Sequence, residues 1–276
     1  MVIANPIYDV VFKRMMENER VAKFFIGTLL EQNIETVEVK PQEFTYTEGL
    51  AGLAVFRLDF IATIKTESGE LKKVLIGIQK ARNQIDLMRF RRYLAEQYKK
   101  QDTVNNIKVI LPITTIYVLG FKLPEIDSPC LKVERNYKDL VNSKIINTKS
   151  DFVEKLTHDS FIVQVERITD KYQTRLDKLL SVFEQTNFVD NNTITKQFNH
   201  EPDLEEVKII TDILHYTGTD PEEKERIEIE QEAWRSVNAM FEQKENELMQ
   251  VIEQKNKALT EKDKLIEELL RKLNEK

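Results

Sequence analysis

Two apolar-alternating runs on either side of a short turn constrain this chain more than any other feature. Residues 53–65 read "LAVFRLDFIATIK" and residues 72–80 read "KKVLIGIQK", with "TESGE" between them. A period of two marks strands, and the Ser-Gly turn joins them as an antiparallel hairpin. Pairing Lys65 with Leu71 across the turn places Asp59 opposite Gly77, with Cβ positions ~5 Å apart on one face. Leu58, Phe60, Ala62 and Ile64 then share the other face with Val74, Ile76 and Ile78, all suited to burial. Asp59, Gly77 and Gln79 share the more polar side, because strand side chains alternate. A slip of one residue would exchange the two faces.

The remaining chain supplies what packs on this hairpin. Residues 7–32 read as two short helices, with Asn18 as a cap and Val21, Phe24, Phe25, Thr28 and Leu29 on one stripe. A strand is expected around Val37–Val39, broken at Pro41, and a helix over 84–100. "LPITTIYVLGF", "CLKVER" and "FIVQVERI" read as further strands, after which strands are expected to stop. The order is that of an α/β or α+β core. Helices follow near 172–185 and 203–216. From Pro221 to Lys276 there is no further Gly or Pro, and "EEKE" fills the first turn, as a helix N-terminus prefers. Val251-Ile252, Ala258-Leu259 and Leu265-Ile266 recur every seven residues, with Lys255 and Lys262 interrupting the seam. The pattern reads as a coiled coil pairing two copies through residues 234–273; a lone helix folded back on the body is the other reading. The expected organisation is a domain over 1–170, a helical extension over 171–220 and a long charged helix over 221–276.

Charge is divided along the chain. Residues 201–276 hold 21 acids and 12 bases, whereas residues 71–108 hold ten bases against three acids. The second stretch reads as an anion footprint or as an ordinary solvated helix face. One cysteine, Cys130, excludes an intrachain disulfide, and three scattered histidines do not have zinc-ligand spacing. No run reaches the ~20 apolar residues of a membrane span. The first residues lack the form of a signal peptide. A cytoplasmic protein that does not enter membranes is expected.

"RLDF", a strand ending "LIGIQK", then "LMRFRRYL" on a helix, together with the opening "NPIYDVVFKRMMENERVAKFF", resemble the PD-(D/E)XK nuclease superfamily. The branch is the transposase-associated one, the recombination-promoting nucleases, and the likeness runs from about residue 5 to 135. The resemblance implies a restriction-endonuclease-like core of mixed β-sheet flanked by helices, and DNA cleavage dependent on Mg²⁺, with Mn²⁺ as a substitute. It makes Asp59 the metal-binding aspartate. Gln79, followed by Lys80, takes the place of the lysine that orients water. Asp9 becomes the acid of the first helix and a second candidate metal ligand. Arg89 and Tyr93 belong to the helix beside the site, and Lys80, Arg82, Arg89, Arg92 and Tyr93 are the candidate DNA contacts.

Gly77 departs from the pattern, which has Glu there as the second magnesium ligand. Glycine supplies no ligand and weakens a strand. Either the enzyme is degenerate, leaving a DNA-binding or protein-interaction scaffold, or an acid such as Asp9 or Glu96 has moved into place. Glu96 also reads as a surface partner of Arg92, one turn away.

Overall fold

The computed structural model describes residues 1–47, 54–80, 84–189 and 193–274; the side chains of 41–47, 54–59, 84–86, 89, 237–238, 241–242, 245, 265 and 267–274 lie outside that description. The chain opens with β1 (Val2–Ala4), α1 (Asp9–Met16) and α2 (Glu19–Leu30). Three long strands follow: β2 (Ile34–Thr47), β3 (Ala54–Thr66) and β4 (Leu71–Gln79). Then come α3 (Gln84–Lys99), a hairpin of β5 (Asp102–Val104) and β6 (Ile107–Val109), β7 (Ile113–Leu119) and β8 (Cys130–Val133). A second small hairpin, β9 (Tyr137–Lys138) and β10 (Ile145–Ile146), precedes α4 (Asp151–Leu156) and β11 (His158–Gln164). The chain ends with α5 (Arg175–Ser181), β12 (Thr195–Gln197), α6 (Glu205–Thr219) and α7 (Pro221–Asn274).

Six strands form one mixed sheet in the order β2-β3-β4-β7-β11-β8. β2, β3 and β4 are an antiparallel meander, while β4, β7 and β11 run parallel. The crossover from β4 to β7 is made by α3. Phe60, Ala62, Ile64, Val74, Ile76 and Ile78 are all buried on one face, as the alternation requires. That face is covered by α1 and α2, with α5 and α6 adding to the same core. Phe12 is its hub: ring centroids lie 5.3 Å from Phe25, 5.1 Å from Phe60 and 6.3 Å from Phe183. The other face carries a smaller core in which Phe90 and Tyr93 of α3 pack on Leu75 and Ile113.

Local chemistry explains the helix ends. The Asn18 side chain accepts from the backbone N–H of Arg20 and Val21, so α2 starts where the cap was expected. Thr174 and Asp177 form a reciprocal capping box on α5. Asp220 serves two helices at once. Its N–H bonds to Tyr216 O at 2.8 Å, ending α6, and its carboxylate accepts from Glu223 N at 3.0 Å, starting α7. Pro221 takes the first helical position, where a missing N–H is harmless.

Two expectations are corrected. β2 runs unbroken through Pro41, which pairs with Phe60. β2 is an edge strand, where a missing donor can face away from the sheet. Strands do not stop at residue 170, because β12 pairs antiparallel with β1. On α3 the buried stripe runs through Phe90, Tyr93 and Gln97, and Leu87 is exposed. Residues 171–220 share one compact unit, Met1–Glu230, with the sheet, and Gln231–Lys276 forms a second. Among the described residues no helix is long and apolar enough to cross a membrane.

Candidate functional site

The register of the central hairpin brings the candidate residues onto one row. Lys65 pairs with Leu71 and Asp59 with Gly77. The row extends on both sides: Gln42 lies beside Asp59, and Tyr117 of β7 lies beside Gly77. The Tyr117 ring packs on Phe90 of α3 with centroids 4.3 Å apart. Gly77 thus sits between an acidic position and an aromatic wall, on the α3 side of the sheet. The Asp59 side chain is outside the described set. Gln79, two residues along, is 6 % exposed, and its Nε2 has no hydrogen-bond partner among the described residues.

Lys80 belongs to the opposite side. Its ammonium pairs with the Glu230 carboxylate and lies 4.4 Å from the centre of the Tyr8 ring. Glu230 is on the third turn of α7, and it also accepts from Asp9 N at 2.8 Å and Val10 N at 3.1 Å. These are orphan donors of the α1 N-terminus, a place that favours negative charge. Lys80 and Glu230 side chains are only 10 % and 12 % exposed, so the pair is internal. Close packing fixes the backbone here too. A Cβ on Gly120 would come 2.6 Å from Ile7 Cδ1 and 3.1 Å from Lys80 Cα, and Gly120 N donates to Gln79 O at 2.7 Å.

The other candidates are dispersed. Asp9 is buried at the start of α1, on the side of the sheet that carries Lys80 rather than Gln79. Tyr93 is buried in the small α3 core. Arg92 is exposed on α3. Arg82 lies outside the described residues, as does the Arg89 side chain. Glu96 pairs with Lys99 at 3.1 Å, not with Arg92, and points to solvent. The basic footprint over 71–108 is partly neutralised: Lys72 pairs with Glu70, Lys73 with Asp102 and Lys80 with Glu230. Arg91, Arg92, Lys100 and Lys108 are exposed and engage no acid among the described residues. Burial pushes the Cys130 thiol up to about 11, which suits an unreactive thiol.

Mg²⁺ prefers oxygen ligands and leans on one or two protein carboxylates. The row offers the carboxyl of Asp59 and the amide of Gln79, and nothing from Gly77. Among the described residues no three His, Cys, Asp or Glu side chains group as metal ligands. Of the carboxylate pair that the resemblance calls for, the row holds Asp59 alone, because Gly77 stands where the second acid would be. Sequence reasoning missed Glu230, which lies 150 residues from its partner Lys80 and carries no spacing signal. Comparison with family models, curated proteins and solved structures finds no match to this chain.

Proposed function

We propose that this chain is a DNA-binding protein built on a PD-(D/E)XK nuclease fold of the transposase-associated kind, in which metal-dependent cleavage has lapsed at position 77. The observation that carries the reading is the pairing of Asp59 with Gly77, with Gln79 on the same face. A carboxylate at position 77 would stand ~5 Å from that of Asp59, close enough to share a cation. The mixed sheet flanked by helices and the buried Phe12 of the "DVVFK" helix support the same assignment. The exposed Arg91, Arg92, Lys100 and Lys108 supply cations for phosphate contacts.

Plasmid DNA incubated with Mg²⁺ or Mn²⁺ tests the reading. Wild type is expected to retard DNA without cutting it, Gly77→Glu to cut, and Gly77→Glu combined with Asp59→Ala to stop cutting. Cleavage by wild type, lost in Asp59→Ala, would mean that a displaced acid completes the site. Failure of every form to bind DNA would leave the second reading, an interaction scaffold.

That second reading is favoured by the separate unit Gln231–Lys276, in which Leu248, Met249, Val251, Ile252, Leu259 and Ile266 are exposed. In either reading the heptad recurrence pairs two copies as a parallel coiled coil through residues 234–273.

A further inference from the structure

The hairpin β9–β10 holds two apolar side chains in solvent at its tip by its turn chemistry. Its strands pair Lys138 with Ile145 and Tyr137 with Ile146. Between them, Leu140 is 85 % and Val141 91 % exposed. The tip is nevertheless well ordered by bonds. Asp139 Oδ1 accepts from Val141 N at 2.8 Å and Asn142 N at 3.2 Å, and Asp139 Oδ2 accepts from Asn142 Nδ2 at 2.6 Å. Asp139 N donates to Lys144 O at 2.8 Å, and Ser143 adopts a φ of +56° to close the loop. The base is anchored as firmly: Glu154 of α4 accepts from Tyr137 Oη at 2.6 Å and from Arg135 Nη2 at 2.7 Å, while Arg135 Nε donates to Asp159 at 2.7 Å.

Charge on the two arms is one-sided. Residues 132–149 contain five bases and two acids. Asp139 is consumed by the turn, and Glu134 pairs with Lys132 at 2.8 Å. Lys138 stands on one arm and Lys144 on the other, both exposed and engaging no acid among the described residues. Ile145 and Ile146 on the returning arm are also exposed, at 60 % and 44 %, but the tip itself narrows to Leu140 and Val141, far short of the about 800 Å² per partner of a protein interface. An interfacial helix anchor buries a whole apolar helix face, which this hairpin does not have. Leu140 and Val141 suffice for a wedge: one or two apolar side chains between base steps unstack and kink duplex DNA, while flanking cations hold phosphates on either side of the minor groove.

We infer that the β9–β10 hairpin is a DNA wedge, with Leu140 and Val141 entering between base steps and Lys138 and Lys144 gripping the two flanking phosphate strands. The inference rests on the reading of the protein as a DNA binder and adds how it deforms DNA. Full-length wild type, Leu140→Ser/Val141→Ser and Lys138→Gln/Lys144→Gln are compared on a duplex of about 30 base pairs labelled at both ends for energy transfer. Wild type is expected to bend the duplex by ~20–90°. The Leu140/Val141 variant should bind about tenfold more weakly and lose the bend. The lysine variant should lower the slope of log affinity against log salt by roughly 2, from two lost phosphate contacts. Circular dichroism should show all three equally folded, because the substituted side chains are exposed. Wild-type affinity and bend in the Leu140/Val141 variant would overturn the wedge and leave DNA binding intact. No binding by wild type would overturn both. Association with phosphatidylcholine–phosphatidylserine vesicles, abolished by the same variant, would overturn the wedge in favour of a membrane contact.

Discussion

Lys196 is 1 % exposed on β12, and its ammonium donates to the carbonyls of Ser181, at 3.2 Å, and Glu184 beyond the end of α5. Desolvation outweighs these contacts and pulls its pKa down to about 8. The unfolded chain holds the same proton up to ~10.4. Between those values the unfolded state binds more protons, so this residue makes stability rise with pH from about 8 to 10. The total is on the order of 3 kcal/mol. Urea unfolding of wild type against Lys196→Met should show the gap moving in favour of wild type over that window; a constant gap would mean the carbonyls keep the lysine charged. Gly120→Val is a second residue-scale test, since any Cβ there meets Ile7 and the Lys80 backbone. Overpacking of this kind typically destabilises by ~1–3 kcal/mol, readable as a lower urea midpoint. At this scale the sequence displayed Asp59 opposite Gly77, because strict alternation leaves one register that buries Phe60, Ile76 and Ile78 together. It did not display Lys196, because one lysine among 41 bases carries no mark of burial until β1 covers it.

Elements with long, regular patterns were readable, and those held by distant partners were not. The β3–β4 hairpin, α2 and α7 each carry a period over many residues. The strands of β5–β6, β9–β10 and β1–β12 are two or three residues long, too short to express any period. Pro41 misled for a different reason: whether proline interrupts a strand depends on its being at the edge, which is a tertiary fact. The first turns of α7 illustrate the same limit. They are bound to α1 by Glu230 on the Asp9 and Val10 donors and by Glu223 on Arg14, with Arg14 Nε 3.2 Å from Glu223. Removing one member of a mostly buried ion pair is costly, so Glu230→Ala should destabilise by about 3 kcal/mol or more. Replacing both partners, Lys80→Met with Glu230→Leu, should recover most of that loss in urea unfolding, as apolar pairs of similar volume do. Failure of the double variant to recover would assign the stability to the α1 donors rather than to the lysine.

Across the whole molecule, deletion of 231–276 is expected to leave the unit Met1–Glu230 folded and monomeric by light scattering, since Glu223 and Glu230 remain to close α1. A dimer that survived the deletion would remove the coiled-coil reading. The pairing of the β3–β4 hairpin was open to inspection in the sequence, whereas the internal commitment of Lys80 was not, because Glu230 comes from far along the chain. The same separation recurs at the very start, where Val2 pairs with Gln197 and Met1 with Phe198. Translation at ~5–20 residues per second delivers the second strand of that ladder roughly 10–40 s after the first. Until then Ile3 and Ala4, later fully covered, have no sheet to join. The nascent chain must therefore carry its opening residues unpaired through the synthesis of nearly the entire sheet. Ribosome-stalled chains ending before residue 190 should be cut readily near the N-terminus by a pulse of protease, and chains reaching well past 200 should resist, making completion of the fold an event of late synthesis.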